Sequence, residues 1–140
     1  MSRYLSRYLL DTDTAIEVLR GRNRPVIERL AASPREDIAL SVVTVAELFF
    51  GAHRSRNVSG NLELCRGFCG SFEILPLTMT AAELSAGIRA SLETGGQRIG
   101  PHDVLIAGIA LADNRVLVTH NSREFGRVLD LEIEDWIIQA

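Results

Sequence analysis

The sequence contains no lysine, since all 15 of the basic residues in this chain of 140 are arginine. A Walker P-loop needs a lysine to reach the nucleotide phosphates, and Schiff-base or pyridoxal chemistry needs a lysine amine. Both classes of protein are therefore excluded. The only cysteines, Cys65 and Cys69, share a helix face without the nearby histidines that would complete a zinc site. We interpret them as small buried hydrophobic residues.

Long apolar runs and an excess of positive charge are also absent. The 18 acidic and 15 basic residues give a net charge of −3, which does not favour a protein that coats duplex nucleic acid. The longest uncharged apolar runs, residues 38–46 and 104–112, fall well short of the ~20 residues needed to span a bilayer. No apolar signal core follows the initial methionine. We therefore expect a cytoplasmic protein that makes no use of a membrane.

The length and composition are those of one globular domain. Hydrophobic residues make up 46% and charged residues 24% of the chain, a balance that supports a packed core. We predict a single domain over residues 1–140. The tandem Ser-Arg-Tyr-Leu copies at 2–5 and 6–9 are too short to form a repeat architecture. We interpret residues 1–7 as a frayed N-terminal extension.

Short apolar runs alternate with segments of helical periodicity along the whole chain. The predicted strands are residues 8–10, 38–41, 73–76, 115–119 and 131–133. The predicted helices are residues 15–20, 25–30, 43–53, 58–72, a segment from a capping box at 80–83 to Gly95, and 103–113. Such alternation predicts an α/β fold with a central parallel sheet of four to five strands.

Acidic residues stand where these predicted strands end. Asp11 follows the first strand, Glu47 lies about two helical turns beyond the second, and Asp103 opens the helix before the fourth. Because ligands bind beyond the carboxyl ends of parallel strands, we expect these side chains to share one edge of the sheet. A cysteine-free set of oxygen ligands suits Mg²⁺ or Mn²⁺, and mutual repulsion of the carboxylates creates a need for a cation.

Each of these acidic residues also has a plainer explanation. Asp11 or Asp13 would cap the helix that follows. Glu47 would complete a second capping box with Thr44. Asp103 would be stabilised by the helix N-terminus without any metal.

Four ordered motifs lead to a family resemblance. They are LLDTD at residues 9–13, SVVTVAEL at 41–48, IGPHDVLIA at 99–107 and LVTHNSREF at 117–125. Together they closely resemble the motif set of PIN-domain ribonucleases, specifically the VapC-type toxins of prokaryotic toxin–antitoxin pairs. The ending LEIEDW at 131–136 is similar to that of the family. The resemblance spans residues 8–136 and implies a three-layer α/β/α PIN-like domain.

The resemblance also implies a catalytic set and a reaction. The acidic quartet of the family falls on Asp11, Glu47, Asp103 and either Asn121 or Glu124. The first three are the implied ligands of Mg²⁺ or Mn²⁺. The implied activity is that of an endoribonuclease that hydrolyses RNA phosphodiester bonds, as the toxin of a type II pair.

Residues beside this quartet receive secondary roles from the same resemblance. Asp13 is expected to support the ligands from outside or to cap a helix. The Thr119 hydroxyl is expected to bond a water or an RNA phosphate, and Arg123 to neutralise RNA phosphates. Asn121 could equally be an ordinary turn residue, and Glu124 a solvated one.

The implied partners are RNA, a cognate VapB-like antitoxin and a second copy of the chain, in a homodimer and a toxin–antitoxin hetero-oligomer. Phe49 and Phe50 add an observation from the residues themselves, because neighbours on a helix point about 100° apart. One can enter the core while the other faces a groove that suits an amphipathic partner helix. The alternative is that both are buried in the core of this chain.

Two competing functions remain open on the sequence alone. Asp11 and Asp13 resemble the acid pair of haloacid-dehalogenase-like phosphatases, but Ala15 stands where that motif has Thr or Val, and the phosphatase lysine is missing. The other alternative is a catalytically inactive α/β interaction domain. A complete acidic set argues against that alternative, since a purely structural domain gains nothing from mutually repelling carboxylates.

Overall fold

A computed structural model describes residues 7–137, so the first six residues of the predicted frayed extension lie outside the described part of the chain. The strands are β1 (Tyr8–Leu10), β2 (Ile38–Ser41), β3 (Glu73–Leu75), β4 (Val116–Val118) and β5 (Ile133–Glu134). The helices are α1 (Thr12–Arg20), α2 (Arg24–Ala31), α3 (Val42–His53), α4 (Val58–Cys69), α5 (Met79–Thr94), α6 (Pro101–Ala112) and α7 (Ser122–Phe125). The predicted alternation of strands and helices is confirmed. No helix among these is long and apolar enough to cross a membrane.

All strands pair in parallel, in the order β3-β2-β1-β4-β5. The central strand β1 has β2 on one side and β4 on the other, with Leu9 opposite both Ala39 and Leu117. The chain adds strands in one direction up to β3 and then returns to the other side of β1. Ligand sites of open α/β sheets lie at such a reversal point, which here is the carboxyl edge between β1 and β4.

Helices cover both faces of the sheet, as the predicted three-layer architecture requires. Leu9 and Leu117 pack with α5 and α6 on one face, while Leu10 and Val118 pack with α1 and α2 on the other. Successive strand residues point to opposite faces, so fully apolar strands supply both cores. Helices α3 and α4 pack on each other through Leu48 and extend the second layer beside α1.

The N-terminal caps of two helices differ from those that the sequence suggested. Helix α3 is capped by Ser41, whose hydroxyl accepts a hydrogen bond from the Thr44 amide at 3.0 Å, so the capping box proposed for Thr44 and Glu47 is wrong. Helix α5 is capped by Thr78, which accepts from the Ala81 amide at 3.1 Å. The capping box predicted at 80–83 therefore lies inside the helix.

Helix α4 ends three residues earlier than predicted. It stops at Cys69, followed by Gly70, and Phe72 enters the core from the turn beyond, 5.0 Å from the Phe68 ring. Cys65 is buried and Cys69 half-buried, both with free thiols. The interpretation of the cysteines as small core residues is confirmed.

Candidate active site

Asp11 lies at the carboxyl end of β1, at the reversal point of the sheet. Its Oδ1 accepts a hydrogen bond from the Thr14 amide at 2.9 Å and so caps α1. The Thr119 hydroxyl, directly after β4, also bonds the Asp11 carboxyl. Burial raises the pKa of Asp11, and these hydrogen bonds offset part of that rise. A carboxylate has acceptor sites left after these contacts, so the cap and a ligand role are compatible.

Thr119 lies beneath the site with no exposed surface. Its hydroxyl accepts a hydrogen bond from the Asn121 amide at 2.9 Å and bonds Asp11 on the other side. The predicted contact of this hydroxyl with a water or an RNA phosphate stays a prediction. Thr119 directly follows β4, beside the neighbouring strand β1, which Asp11 directly follows.

Glu47 is held by a hydrogen bond at each carboxylate oxygen. The Thr12 hydroxyl donates to Oε1, and His102 Nδ1 lies 3.1 Å from Oε2. Glu47 thus faces the N-termini of α1 and α6 and takes no part in capping α3. Sequence reasoning missed both Thr12 and His102. Only their positions in the sequence could have indicated them, since Thr12 directly follows Asp11 and His102 directly precedes Asp103.

Asp103 shows that the predicted carboxylates share one electrostatic environment. It lies in the first turn of α6, where its pKa is raised to about 6. Burial is the largest cause, and the negative charges of Asp11, Glu47, Asp13 and Glu124 supply the rest of the rise. A helix N-terminus alone would lower it, so repulsion and burial dominate. The elements α3, α6, α7 and the β1–α1 junction therefore bring their acids together.

The chemistry of these donors fits a hard divalent cation. Asp11, Glu47 and Asp103 offer only oxygen ligands, which Mg²⁺ and Mn²⁺ prefer. A cation among them would relieve the repulsion that raises the Asp103 pKa. Among residues 7–137, no group of three His, Cys, Asp or Glu side chains is arranged to hold a metal ion in this structure.

The segment after β4 carries the two candidates for the fourth acidic position. Glu124, half-buried in α7, contributes its charge to the Asp103 pKa. Asn121 is neutral, and its side chain makes no capping hydrogen bond to α7. Arg123 and Asp13 are both exposed, and the helix that Asp13 was suggested to cap is capped by Asp11.

A model of the PIN domain matches residues 8–130, and the chain belongs to that family. Within it, the chain is 35% identical to the tRNA(fMet)-specific endonuclease VapC of Shigella flexneri, over 93% of this chain and 98% of the relative. It is 33% identical to ribonuclease VapC2 of Haemophilus influenzae, over 94% of this chain and 98% of the relative. These relatives place it among the VapC ribonucleases.

The fold agrees with this placement. The crystal structure of DNA-bound VapBC from Salmonella typhimurium superposes with a TM-score of 0.88 at 35% identity, covering 94% of this chain and 99% of that chain. The phosphatase alternative gains no support, because the resemblance of Asp11 and Asp13 to that acid pair is local. The inactive-domain alternative gains no support either, since the relatives are named nucleases.

Proposed function

We propose that this chain is a metal-dependent endoribonuclease that hydrolyses RNA phosphodiester bonds as the toxin of a type II toxin–antitoxin pair. The observation that carries the proposal is the position of Glu47, which hydrogen-bonds Thr12, the neighbour of Asp11, and His102, the neighbour of Asp103. The repulsion among these acids contributes to the raised pKa of Asp103. Uncompensated charge of this kind, at the ligand-binding edge of an α/β sheet, is typical of a functional site. The naming of the relatives as ribonucleases supports the choice of RNA.

Asp11, Glu47 and Asp103 are the proposed ligands of Mg²⁺ or Mn²⁺. When bound, such a cation supplies Lewis-acid activation of water and neutralises charge on a phosphodiester. The protein contributes the arrangement, because Asp11 is fixed by the Thr14 amide and Glu47 by Thr12. Glu124 is the better candidate for the fourth acidic position, since its charge reaches Asp103.

RNA would approach this acidic edge through arginine side chains. Arg123 is exposed in α7, directly before Glu124 in sequence, and its guanidinium matches the geometry of a phosphate. Phosphate contacts of this kind position a nucleic acid without reading its sequence. We propose Arg123 as such a contact, within a single domain that acts in the cytoplasm.

The decisive experiment is cleavage of RNA by the purified protein with Mg²⁺ or Mn²⁺, compared with Asp103→Asn. We expect the variant to lose at least about 100-fold in rate, because even outer partners of metal ligands cost ~10–100-fold when removed. Asp130→Asn is the matched control. It also removes one carboxylate, at a position with φ of 67° that asparagine tolerates. Equal cleavage by the wild type and Asp103→Asn would refute the mechanism.

The substrate panel should separate RNA classes. One relative is named for tRNA(fMet), so initiator tRNA belongs beside an elongator tRNA, ribosomal RNA and single-stranded DNA. Preference for one RNA would define the target. Cleavage of DNA at the same rate would point to a general nuclease instead.

The adjacent phenylalanines of α3 support the antitoxin part of the proposal. Phe49 packs against the Leu48 cluster, whereas the Phe50 side chain is 62% exposed. The alternative with both rings in the core is therefore wrong. Phe50 is exposed but does not line the groove that runs between α1, α3 and α4. Their helix therefore presents apolar surface to a partner.

A groove of about 380 Å³ runs between α1, α3 and α4, with Ile16 and Leu19 on one wall and Leu64 on another. Glu47 lines the same groove, so the groove joins the acidic site. We propose that an amphipathic helix of a VapB-like antitoxin lies here, with a basic residue reaching the carboxylates. The resulting hetero-oligomer would contain the homodimer expected for the family.

A further inference from the structure

A line of hydroxyl groups leads from the sheet to Glu47. Ser41 Oγ lies 3.3 Å from Thr44 Oγ1, and Thr44 Oγ1 lies 3.0 Å from Thr12 Oγ1. The Thr12 hydroxyl then bonds Glu47 Oε1. Ser41 and Thr44 have no exposed surface. The line joins the end of β2 and the starts of α3 and α1 to one carboxylate oxygen.

The direction of these hydrogen bonds is fixed, because each hydroxyl has only one proton to donate. Thr12 donates to the Glu47 carboxylate and must therefore accept from Thr44. Thr44 thus donates its only hydroxyl proton to Thr12, and it accepts a hydrogen bond from Ser41. The Thr44 amide donates to Ser41 Oγ, which anchors the first hydroxyl. Every hydroxyl proton points towards Glu47, and bonds aligned in this way polarise one another.

Glu47 needs such an anchor. Its side chain is long, and its charge and that of Asp103 repel each other, as the raised Asp103 pKa shows. Without restraint, the carboxylate would turn towards solvent. His102 restrains the other oxygen but is exposed, so the buried hydroxyls provide the fixed contact. Thr12 also directly follows Asp11, so the same line sets two of the carboxylates relative to each other.

We propose that Ser41, Thr44 and Thr12 form a hydroxyl relay that positions Glu47 for the nuclease reaction; this inference rests on the function proposed above. Capping of α3 does not account for the relay. The cap requires only the Ser41 oxygen and the Thr44 amide, and a valine would fill the space of Thr44. The hydroxyls of Thr44 and Thr12 serve the carboxylate.

The test compares Thr44→Val, which removes the middle hydroxyl, with Thr44→Ser, which keeps it. We expect Thr44→Val to lower kcat for RNA cleavage about 10-fold with little change in KM, within the ~10–100-fold typical of outer partners of ligands. We expect Mn²⁺ affinity, measured by calorimetry on metal-free protein, to fall by a similar factor. Thr44→Ser should retain both values. Ser85→Ala is the matched control, because it removes a buried hydroxyl that bonds only the Ala81 carbonyl in α5.

A double-mutant cycle shows whether Thr44 acts through Glu47. If it does, Thr44→Val should change Mn²⁺ affinity less than 2-fold in a Glu47→Ala background. The full loss in that background, or wild-type values for Thr44→Val alone, would overturn the relay. Should Thr44→Val fail to fold in a thermal melt, Thr12→Val and Thr12→Ser at the half-buried start of α1 decide the question by the same criteria.

The two proposals fail separately. Wild-type protein that cleaves no RNA refutes the proposed function, while Mn²⁺ affinity still tests the relay. Wild-type cleavage together with an unaffected Thr44→Val refutes the relay alone.

Discussion

Asp11 combines a helix cap with a negative charge that acts on a neighbouring acid. It begins α1 by accepting from the Thr14 amide, and its charge acts on Asp103. Asparagine caps helices as well as aspartate does but adds no charge. We therefore expect Asp11→Asn to keep the wild-type free energy of unfolding or exceed it, while RNA cleavage falls at least about 100-fold, as for Asp103→Asn.

Asp11→Ala is the comparison that isolates the cap. It should lose cleavage to the same extent and, in addition, about 1 kcal/mol of unfolding free energy. Urea unfolding with EDTA present measures this difference. Equal destabilisation by asparagine and alanine would show that the Asp11 carboxyl does not act as a cap.

The raised pKa of Asp103 predicts an unusual dependence of stability on pH. The folded group titrates near 6 and the unfolded group near 3.8. Between these values the folded protein holds a proton that the unfolded chain has lost, so the unfolding free energy falls as pH rises through this window. The raised pKa of Asp11 acts in the same direction. Urea unfolding in EDTA from pH 4 to 7 should show the decline.

Asp103→Asn should flatten this decline, and Asp130→Asn should leave it unchanged. Added Mn²⁺ should reverse the trend above pH 6, because a cation binds the ionised carboxylates of the folded state. If the unfolding free energy of the wild type declined with pH no more steeply than that of Asp103→Asn, Asp103 would not have the raised pKa that burial and the neighbouring acids give it.

At the residue scale, the sequence predicted the acids but not the groups that hold them. Asp11 was proposed because it follows a predicted strand, Glu47 because it lies about two helical turns beyond one, and Asp103 because it opens a predicted helix. The contacts of Thr12 with Thr44 and Glu47 join residues 32 and 35 positions apart. They depend on how α1 crosses α3, which no local periodicity encodes.

At the scale of elements, the close packing of α5 on α6 depends on Gly108. A Cβ atom there would lie 2.0 Å from Ser85 Oγ and 2.6 Å from the Ala81 carbonyl oxygen. We expect Gly108→Ala to lower the free energy of unfolding by about 1–3 kcal/mol through overpacking. This would occur although alanine is the better helix former by roughly 1 kcal/mol.

Gly87→Ala in α5 is the matched control, because nothing lies within 4 Å of its Cβ position. It should stabilise the protein by up to about 1 kcal/mol. Ser85→Ala should rescue Gly108→Ala only in part, since the backbone oxygen of Ala81 stays in place. Urea unfolding of the wild type, Gly108→Ala, Gly87→Ala and the double variant Gly108→Ala/Ser85→Ala measures these differences in unfolding free energy. If Gly108→Ala were as stable as the wild type, α5 and α6 could move apart at little cost in free energy.

The elements themselves were predictable, whereas several of their boundaries were not. Strands β1, β2 and β4 are short apolar runs, whose burial on both faces removes any helical periodicity. The start of α5 was misplaced because Thr80 and Glu83 match the capping box, whereas Thr78, which caps the helix, has Ala81 three residues later. The end of α4 was misplaced because Phe72 continues the apolar pattern beyond Gly70.

At the scale of the whole molecule, the two edges of the sheet have opposite electrostatics. Near the amino edge, the fully buried Arg115 guanidinium bonds Asp113 at 2.7 Å, Glu73 at 3.0 Å and the carbonyl oxygens of Tyr8 and Asp37. The positive charge of Arg115 is paired with two carboxylates there, and its hydrogen bonds connect β1 with β3. At the carboxyl edge, Asp103 and its neighbours repel one another. The amino edge thus stabilises the fold through paired charges, whereas the carboxyl edge carries mutually repelling negative charge, as the proposed cation site requires.

The groove between α1, α3 and α4 supplies a prediction about that partner. Leu64 lines it with a side chain that is 61% exposed. An apolar anchor of this kind contributes most of its binding energy only when a partner excludes water from it. We expect Leu64→Gln to weaken capture of the small protein encoded by the adjacent open reading frame at least about 10-fold.

Leu129→Gln is the control, since Leu129 is 83% exposed but lies outside this groove. Both variants should cleave RNA at the wild-type rate, because neither residue belongs to the proposed catalytic acids Asp11, Glu47 and Asp103. Co-expression with the small protein should therefore restore growth for the wild type and Leu129→Gln but not for Leu64→Gln. If Leu129→Gln instead lost capture while Leu64→Gln kept it, the antitoxin would bind another face, and the continuity of the groove with Glu47 would have no role in inhibition.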